Sequence, residues 1–463
     1  MVMKKMDFEI AVLGGGPAGY VAAVRASQLG ASVALIEEKE LGGVCLNRGC
    51  IPTKALLKTG EAFQVIKSSK EYGIESSIQS INWAAAVERK NRVVKNLNMG
   101  LEQMLLAKGI TIIKGRGIVE NKNRLIVRNE DKSVEVNCNK LILTTGARPM
   151  VPNIKGIDLE GVLTSNEAIN LNDLPGSMMI VGGGVIGLEF ASMLNSLGVK
   201  ITVVELLDRI LPTEDEEVAA ELQKIMKRRG ISFKLSASVN KIEKNAEGLN
   251  VTYTVDDKIN VQLCDKVLVA AGRKLNSDIF ENLSLEIKNG TIVVNESMET
   301  NRKGVYAAGD LTGGKLVAHL AFMEGKTAAE NALGIHSKVN YMAVPTCVYT
   351  NPEVASVGFT ENGARQAGID VKVGRFNFRN NGRALTLGER EGFVKIVVDQ
   401  ENTIIGGQIL GFNSSELISE ITLAITLKAK ADVLANMIHP HPALNEAIWE
   451  ACSDAIGFPI HKL

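Results

Sequence analysis

The sequence predicts an α/β protein with two similar βαβ units and a C-terminal α+β domain. A strand that runs into a glycine-rich turn occurs at residues 8–19 and again at residues 178–187, and each turn precedes a helical pattern and a second apolar strand. From about residue 343 the pattern changes to alternating strands and two further helical patterns, without a glycine-rich turn. The repeat predicts two parallel-sheet units, and the change predicts a separate third domain.

Composition and charge limit the kinds of partner and location that are expected for this protein. The chain has 463 residues, a length that suggests about three domains. Its 52 basic and 52 acidic residues cancel, so nothing predicts a nucleic acid or an anionic membrane surface as a partner. No apolar run reaches the length of a membrane span, and the first residues lack the features of a signal peptide. A cytoplasmic location is therefore expected.

The first glycine-rich turn carries a dinucleotide-binding pattern. Gly14, Gly16 and Gly19 suit a tight turn, a close approach of the backbone to a pyrophosphate, and close packing of the following helix on the strand. The N-terminus of that helix then faces the phosphates. Glu37 ends the second apolar strand, where a carboxylate can accept hydrogen bonds from ribose hydroxyls. The context predicts a dinucleotide site.

The second turn repeats the pattern with Gly182, Gly184 and Gly187, and Glu205 follows Gly187 at the same spacing that separates Glu37 from Gly19. Both units are therefore predicted to be Rossmann-like dinucleotide-binding domains. Glu205 would repel a ribose 2′-phosphate, which favours NAD over NADP, although the neighbouring Arg209 weakens this preference. If the first unit holds FAD and the second holds NAD, the two reactive rings can meet between the domains.

Two cysteines lie close together in the segment GGVCLNRGCIPTK, residues 42–54. Cys45 and Cys50 could form a metal site, a structural bridge or a redox pair. Zinc needs three or four ligands, and neither a second close cysteine pair nor a nearby histidine completes such a site. In a reducing compartment a disulfide is more often catalytic than structural. The adjacent dinucleotide turn favours a redox couple beside a flavin. The other cysteines are interpreted as small buried apolar residues: Cys138, Cys264, Cys347 and Cys452.

A family resemblance extends over essentially the whole chain. The segments that carry it, in order, are GGGPAG, GGVCLNRGCIPTK, GGGVIGLE, VYAAGDLTGG, YTNPEVASVGFTE and HPHPALNE. Together they resemble the flavin-dependent pyridine nucleotide-disulfide oxidoreductases, and within that family they are most similar to the dihydrolipoamide dehydrogenases. The predicted divisions are an FAD-binding domain at 1–149, an NAD-binding domain at 150–272, a central segment completing the FAD-binding region at 273–342, and an α+β interface (dimerisation) domain at 343–463.

The resemblance implies roles for residues around the flavin. Cys50 would lie next to the flavin ring, whereas Cys45 would form the mixed disulfide with the substrate. Lys54 would stabilise negative charge on the reduced ring, and Glu189 would pair with Lys54. Asp310 would hold the ribityl chain of FAD. Further contacts are implied to FAD at Gly117 and Ala318, and to NAD at Val239 and Gly272.

The segment HPHPALNE contains the candidate acid–base residue. A histidine titrates near neutral pH, which suits the transfer of a thiol proton. The family pattern selects His441 over the competing His439, and Glu446 would orient the His441 ring and stabilise its cation. The segment has Ala443 and Asn445 where Thr and Ser are common in the family.

The resemblance also implies an assembly and a reaction. We expect a C₂ homodimer in which the histidine reaches the partner's active site. The implied reaction is oxidation of a protein-bound dihydrolipoyl group by NAD⁺, with a lipoyl-bearing protein of a 2-oxo acid dehydrogenase, acetoin or glycine cleavage complex as partner. The alternatives are a glutathione or mercuric reductase and a non-catalytic nucleotide-binding flavoprotein. Arg48 lies between the cysteines, where a small apolar residue is frequent, and we hypothesise that its charge lowers a thiol pKa.

Overall fold

The computed structural model describes residues 4–129, 132–276 and 281–462. Three large sheets organise this part of the chain. Two of them contain parallel strands that run next to each other at the sheet centre, and the third is antiparallel. Among the described helices, none is both long and apolar enough to cross a bilayer.

The first sheet has a parallel half and an antiparallel half. Its central strand buries Ile10, Val12 and their neighbours on both faces, which explains the continuous apolar run IAVL. The elements are β1 (Lys4–Leu13), α1 (Pro17–Gln28), β2 (Val33–Glu37), α2 (Gly43–Arg48), α3 (Cys50–Ser68), α4 (Trp83–Ala107), β3 (Thr111–Lys114), β4 (Arg116–Asn121), β5 (Arg124–Arg128), β6 (Ser133–Leu143) and β7 (Ala147–Pro149). The strand order is β3-β2-β1-β6-β5-β4, and β3, β2, β1 and β6 are parallel.

The second unit repeats the βαβ arrangement and adds an antiparallel meander. Its elements are β8 (Val162–Thr164), α5 (Ser165–Ala168), β9 (Ser177–Val181), α6 (Val185–Ser196), β10 (Lys200–Val204), α7 (Glu216–Arg228), β11 (Ser232–Lys234), β12 (Ala237–Asn245), β13 (Gly248–Val255), β14 (Lys258–Cys264), β15 (Lys266–Val269) and β16 (Arg273–Leu275). The parallel sheet has the order β11-β10-β9-β15-β8, and β12, β13 and β14 form the meander.

The chain then returns to the first sheet. The elements of this return are β17 (Ile287–Lys288), β18 (Thr291–Ile292), β19 (Val305–Ala307) and α8 (Ala318–Ala332). Strand β19 pairs in parallel with β6. Helix α8 crosses α1 at backbone contact, because a Cβ at Gly325 would lie 2.1 Å from the Ala18 carbonyl oxygen. The return therefore extends the first unit and packs α8 against its nucleotide helix.

The C-terminal domain is an antiparallel sheet covered by helices. Its elements are β20 (Thr346–Val348), β21 (Glu353–Gly358), α9 (Glu361–Gln366), β22 (Lys372–Asn377), α10 (Gly382–Leu387), β23 (Phe393–Val398), β24 (Ile404–Gly411), α11 (Ser414–Thr426), α12 (Ala431–Ala435) and α13 (Glu446–Ala455). The strand order is β20-β21-β24-β23-β22, and α11 and α13 share an apolar core with it. The predicted fold class, two Rossmann-like units followed by an α+β domain, is confirmed.

Buried polar contacts join the second unit to the C-terminal domain. Lys395 on β23 has a side chain only 5% exposed, and its ammonium lies 3.1 Å from Asp215 at the start of α7. The neighbouring Glu214 accepts hydrogen bonds from the hydroxyls of Thr346 at 3.1 Å and Ser356 at 2.5 Å. These contacts fix the loop that follows the second nucleotide strand against the C-terminal sheet.

Candidate active site

The first glycine of each turn occupies a position that only glycine tolerates. Gly14 has φ +107° and Gly182 has φ +113°. A Cβ at Gly14 would lie 2.4 Å from the Thr144 carbonyl oxygen, and a Cβ at Gly182 would lie 2.4 Å from that of Ala270. Both turns therefore approach a neighbouring strand at backbone distance, which a side chain would prevent.

The middle and last glycines differ in their surroundings. A Cβ at Gly184 would meet nothing within 4 Å, and one at Gly16 would meet only the Gly43 Cα at 3.9 Å. In contrast, a Cβ at Gly19 or Gly187 would lie 1.8 or 2.1 Å from the carbonyl oxygen of the first glycine of its turn. Neither α1 nor α6 has a side-chain N-cap. Uncapped helix amides next to open space suit a pyrophosphate, so both turns fit a dinucleotide.

The acids at the ends of the second strands are equivalent. Glu37 accepts hydrogen bonds from the N–H of Gly15 and of Lys39, both at 2.7 Å. Glu205 accepts from Gly183 at 2.5 Å and from the N–H two residues further on at 2.9 Å. Burial raises the pKa of Glu37, while its two backbone donors act in the opposite direction. Each carboxylate is thus held at the edge of its glycine turn.

Arg209 is directed into its own loop. Its guanidinium donates to the Pro212 carbonyl oxygen at 2.7 Å and lies 3.9 Å from a carboxylate oxygen of Glu216. These contacts engage the charge that could otherwise attract a ribose 2′-phosphate, which favours the predicted preference for NAD.

The redox segment packs directly on the first glycine turn. Gly43 has φ +58°, and a Cβ there would lie 2.7 Å from the Gly16 Cα. The N–H of Gly42 donates to the Gly15 carbonyl oxygen at 2.8 Å. Cys45 therefore sits on a helix, α2, whose first residue touches the dinucleotide turn. This contact places the cysteines beside the site that fits FAD.

Cys45 and Cys50 are free thiols, and each shifts the pKa of the other. Cys50 is the first residue of α3, where the helix dipole stabilises an anion. The hydrogen bond from Cys45 lowers the pKa of Cys50 to about 7, with burial opposing it and the Lys54 charge assisting it. The same hydrogen bond and burial raise the pKa of Cys45. Cys50 is therefore the more acidic thiol of the reduced pair, and Cys45 the less acidic one.

Lys54 and Glu189 form an ion pair between α3 and α6. The ammonium lies 2.8 Å from both carboxylate oxygens, and the Glu189 side chain is only 6% exposed. Tyr349 contributes twice to this pair: its ring centroid lies 4.3 Å from the Lys54 nitrogen, and its N–H donates to Glu189 at 3.0 Å. The cation is therefore held one helical turn from Cys50.

The predicted FAD contacts lie at several elements around the first unit. Asp310 stands in a 3-10 turn, Gly309–Thr312, and lies 3.4 Å from the Arg273 guanidinium. Ala318 begins α8, which has no side-chain N-cap. Gly117 lies on β4, where a Cβ would be 2.5 Å from a Leu13 methyl carbon, so packing alone explains this glycine.

The two predicted NAD contacts lie in the second unit. Gly272 has φ +124°, and its carbonyl oxygen accepts from the Met150 N–H at 2.9 Å where the chain crosses between units. Val239 lies on β12 at an irregularity in its pairing with β13, and it packs against the apolar core of that unit. The positive φ explains why residue 272 is glycine, and core packing explains why residue 239 is an apolar valine. Their contacts with NAD stay predictions.

The structure separates the two candidate histidines. His439 has a side chain only 2% exposed, and its ring nitrogens bond the Met437 carbonyl oxygen at 3.1 Å and Glu420 at 2.9 Å. His441 is 79% exposed, and only its Nδ1 has a partner in the described chain, Glu446 at 2.9 Å. Its Nε2 is thus available for proton transfer.

Glu446 is itself held in place. Its second oxygen accepts a hydrogen bond from the Ala443 N–H at 2.8 Å. Burial raises the pKa of Glu446, but this N–H and His441 outweigh it and lower the pKa overall. A carboxylate that stays ionised suits the stabilisation of an imidazolium.

Two family models match this chain. Residues 8–331 match the pyridine nucleotide-disulphide oxidoreductase model, and residues 344–452 match the dimerisation domain of the same family. The chain belongs to the pyridine nucleotide-disulphide oxidoreductases. The predicted family is confirmed, as is the prediction of an enzyme that uses FAD and NAD. The dimerisation domain also confirms the homodimer.

Curated relatives and solved structures agree with this assignment. The chain is 40% identical to the dihydrolipoyl dehydrogenase of Bacillus subtilis, over 98% of this chain and 99% of the relative. It is 39% identical to that of Geobacillus stearothermophilus, over 98% of each chain. The LpdA structure from Mycobacterium tuberculosis has a TM-score of 0.89 at 28% identity, covering 97% and 99% of the two chains. The flavoprotein disulfide reductase RclA from Escherichia coli has a TM-score of 0.87 at 29% identity, covering 97% and 99%.

In this oxidoreductase, the cation that acts on the thiols is not the one that the sequence suggested. Arg48 forms an ion pair with Glu40 at 2.8 Å, and the cation that lowers the Cys50 pKa is Lys54. The hypothesis that Arg48 tunes a thiol thus has no support in these contacts. The described residues also contain no cluster of three or more His, Cys, Asp or Glu arranged to hold a metal ion.

Sequence reasoning missed two residues, one at the Lys54–Glu189 pair and one at the turn that contains Asp310. Tyr349 contacts both members of the Lys54–Glu189 pair, and the only sequence signal for it was its place in the segment YTNPEVASVGFTE. Glu324 on α8 accepts hydrogen bonds from the Gly309 N–H at 2.7 Å and from the Tyr341 hydroxyl at 3.0 Å. No sequence motif marks Glu324, although its carboxylate holds the turn that contains Asp310.

Proposed function

We propose that this protein is a dihydrolipoyl dehydrogenase that oxidises a protein-bound dihydrolipoyl group with NAD⁺ as acceptor. The observation that carries this proposal is the dithiol segment packed on the first dinucleotide turn, with the Gly43 Cβ position 2.7 Å from the Gly16 Cα. The relatives named dihydrolipoyl dehydrogenase, at 36–40% identity along nearly the whole chain, support the substrate class.

The chain's own residues account for the sulfur chemistry. With the Cys45–Cys50 pair oxidised, His441 takes a proton from one substrate thiol, and the resulting thiolate attacks Cys45. The S–S bond breaks and Cys50 leaves as a thiolate. The second substrate thiol then displaces Cys45, which releases the oxidised lipoyl ring and leaves the pair reduced. FAD, held at the first glycine turn, would supply the two-electron carrier between the reduced dithiol and NAD⁺.

The electrostatics of the pair suit these unequal roles. The charge of Lys54 lowers the pKa of Cys50, which makes Cys50 the better leaving group because a thiol of lower pKa leaves faster. The raised pKa of Cys45 keeps that sulfur protonated in the reduced pair. Lys54 stabilises the negative charge at the flavin end of α3.

The proposed active site combines two copies of the chain. His441 is exposed and its Nε2 has no partner in the described chain, although it belongs to the domain that matches the dimerisation model. An unengaged acid–base group on that domain suits an active site across a two-fold interface, where the histidine of one copy serves the cysteines of the other.

The proposed macromolecular partner is the lipoyl-bearing protein of a 2-oxo acid dehydrogenase, acetoin or glycine cleavage complex. A cytoplasmic location forms part of the same proposal, because a catalytic dithiol works in a reducing compartment.

Steady-state kinetics test the proposal. The flavin-loaded enzyme is assayed with dihydrolipoamide plus NAD⁺ or NADP⁺, and with glutathione disulfide plus NADH or NADPH. We expect rapid NADH formation from dihydrolipoamide with a strong preference for NAD⁺, abolished in Cys45→Ser. Faster reduction of glutathione disulfide by NADPH, or no turnover of dihydrolipoamide by the loaded enzyme, would refute it.

A further inference from the structure

Tyr349 connects the C-terminal domain to the redox centre. It follows β20 directly, and its ring lies against Lys54 of α3 at 4.3 Å while its N–H bonds Glu189 of α6 at 3.0 Å. Tyr349 therefore contacts α3 through its ring and α6 through its backbone N–H.

Lys54 needs more than one contact to stay in place. It lies four residues after Cys50 on α3, so the two side chains share a face of the helix. Its stem has four rotatable carbons and the side chain is 32% exposed, which leaves a path to solvent. Glu189 holds the ammonium from one side, and the aromatic face of Tyr349 closes another by a cation–π contact.

We propose that Tyr349 is a positioning residue of the redox centre: its ring and its N–H hold the Lys54–Glu189 pair so that the ammonium stays beside Cys50. The inference rests on the proposed function in taking Cys50 as the thiol that faces the flavin. The charged and titratable groups that act on Cys50 are Cys45, Lys54 and Glu189. Tyr349 acts through the second and third of these and does not itself touch a reacting sulfur.

The test measures the pH midpoint of Cys50 ionisation in the two-electron-reduced holoenzyme. The signal is the long-wavelength flavin–thiolate absorbance, and the ultraviolet absorbance of the thiolate, taken as the difference from Cys50→Ser, is measured in parallel. The test variants are Tyr349→Met and Tyr349→Leu, which remove the aromatic face but keep the backbone N–H. Tyr349→Phe keeps the face, and Tyr72→Leu removes an exposed tyrosine that bonds only the Leu387 carbonyl oxygen.

We expect the midpoint to rise by about half a pH unit or more in Tyr349→Met and Tyr349→Leu, because the less firmly held cation stabilises the thiolate less. Tyr349→Phe and Tyr72→Leu should titrate like the unaltered enzyme. An unchanged midpoint in both non-aromatic variants, or an equal rise in Tyr349→Phe, would overturn the inference. If neither of these variants folds, Tyr349→Gln, which also removes the aromatic face and keeps the backbone N–H, is titrated in their place, and an unchanged midpoint there would overturn the inference.

Failure of the proposed function has a different signature. The unaltered enzyme would then form no NADH from dihydrolipoamide. The ultraviolet titration of Cys50 would still report whether the Tyr349 variants change its ionisation.

Discussion

Glu37 and Glu205 occupy equivalent positions in the two nucleotide-binding units. Each carboxylate accepts the N–H of the second glycine of its own turn, at 2.7 Å and 2.5 Å, and a second N–H two residues after itself. Both turns also have a similar positive φ at the first glycine. The equal spacing between glycine and acid in the two segments therefore corresponds to the same hydrogen-bonding pattern in both units.

This equivalence predicts selective loss of each cofactor. Glu205→Gln should raise the KM for NAD⁺ by about tenfold while FAD content stays normal, because an amide has one acceptor oxygen where the carboxylate has two. Glu37→Gln should lower FAD retention and leave the KM for NAD⁺ unchanged in the loaded fraction. Steady-state kinetics and flavin absorbance per chain measure both effects. Equal effects of either variant on both cofactors would contradict this assignment.

The thiol pair predicts a pH dependence. Because the hydrogen bond from Cys45 is the main cause of the lowered Cys50 pKa, the thiolate should be lost as the pH falls through about 7. Cys45→Ala removes the donor and should move the midpoint upward, towards the ordinary thiol value of about 8.5. Cys45→Ser keeps a hydroxyl donor and should titrate close to the unaltered enzyme. The measurement is a pH titration of the thiolate absorbance in both variants. Identical midpoints in Cys45→Ala and Cys45→Ser would argue against the hydrogen bond.

The shared active site predicts complementation between inactive chains. Cys45→Ser and His441→Ala dimers should each be nearly inactive with dihydrolipoamide. Mixed dimers contain one site with both residues intact, so they should recover up to about half of the normal activity. Differently tagged chains, co-expressed and purified through both tags, provide the material. Verified mixed dimers without any recovered activity would place His441 and Cys45 of the same chain in one site.

The contacts of Glu324 predict an indirect effect on flavin binding. Glu324→Ala removes the acceptor of the Gly309 N–H and the Tyr341 hydroxyl, which frees the turn that contains Asp310. FAD should dissociate about tenfold more readily, since loss of such a buried acceptor costs about 1–3 kcal/mol. Flavin released on dialysis is the measurement, and Glu296→Ala, at an exposed acid, is the control. Equal release from both variants would exclude a positioning role for Glu324.

Replacement of the buried Lys395 is expected to cause a large loss of stability. Its ammonium faces Asp215 at 3.1 Å and Glu361 at 3.1 Å, and the Lys395 and Asp215 side chains are both 5% exposed. Lys395→Met leaves a buried carboxylate without its cation and should destabilise the protein by about 3–5 kcal/mol. Lys372→Met, at an exposed lysine of the next strand that bonds only Asn402, should change little. Thermal unfolding of the holoenzyme compares them, and similar midpoints would mean that the buried network contributes little.

The features of the fold and site that could be predicted are those formed by residues close together in the sequence. The glycine turns, the acids that follow them at equal spacing and the alternating strands after residue 343 each involve residues close together in the chain, where helix and strand periods and backbone φ impose the residue type. The pairing of His441 with Glu446 lies within one short segment and was likewise accessible, with the family pattern choosing between two histidines.

Contacts between distant residues were not predictable from local patterns. Tyr349 and Lys54 are far apart in the chain, and nothing in the sequence near either residue indicates that a ring covers the ammonium. Periodicity carries no information about such partners, because they are brought together by the packing of whole elements.

The sequence by itself determined two dinucleotide turns, a dithiol between them, a histidine–glutamate pair and a third domain, because spacing and side-chain type specify each of these within one short segment. Only the tertiary structure decided that the dithiol segment rests on the first turn, that Lys54 is held between Glu189 and Tyr349, and that Lys395 fastens the C-terminal sheet to the second unit. The physical reason is that these contacts arise where separately folded elements pack, and their geometry depends on the shape and burial of the whole chain.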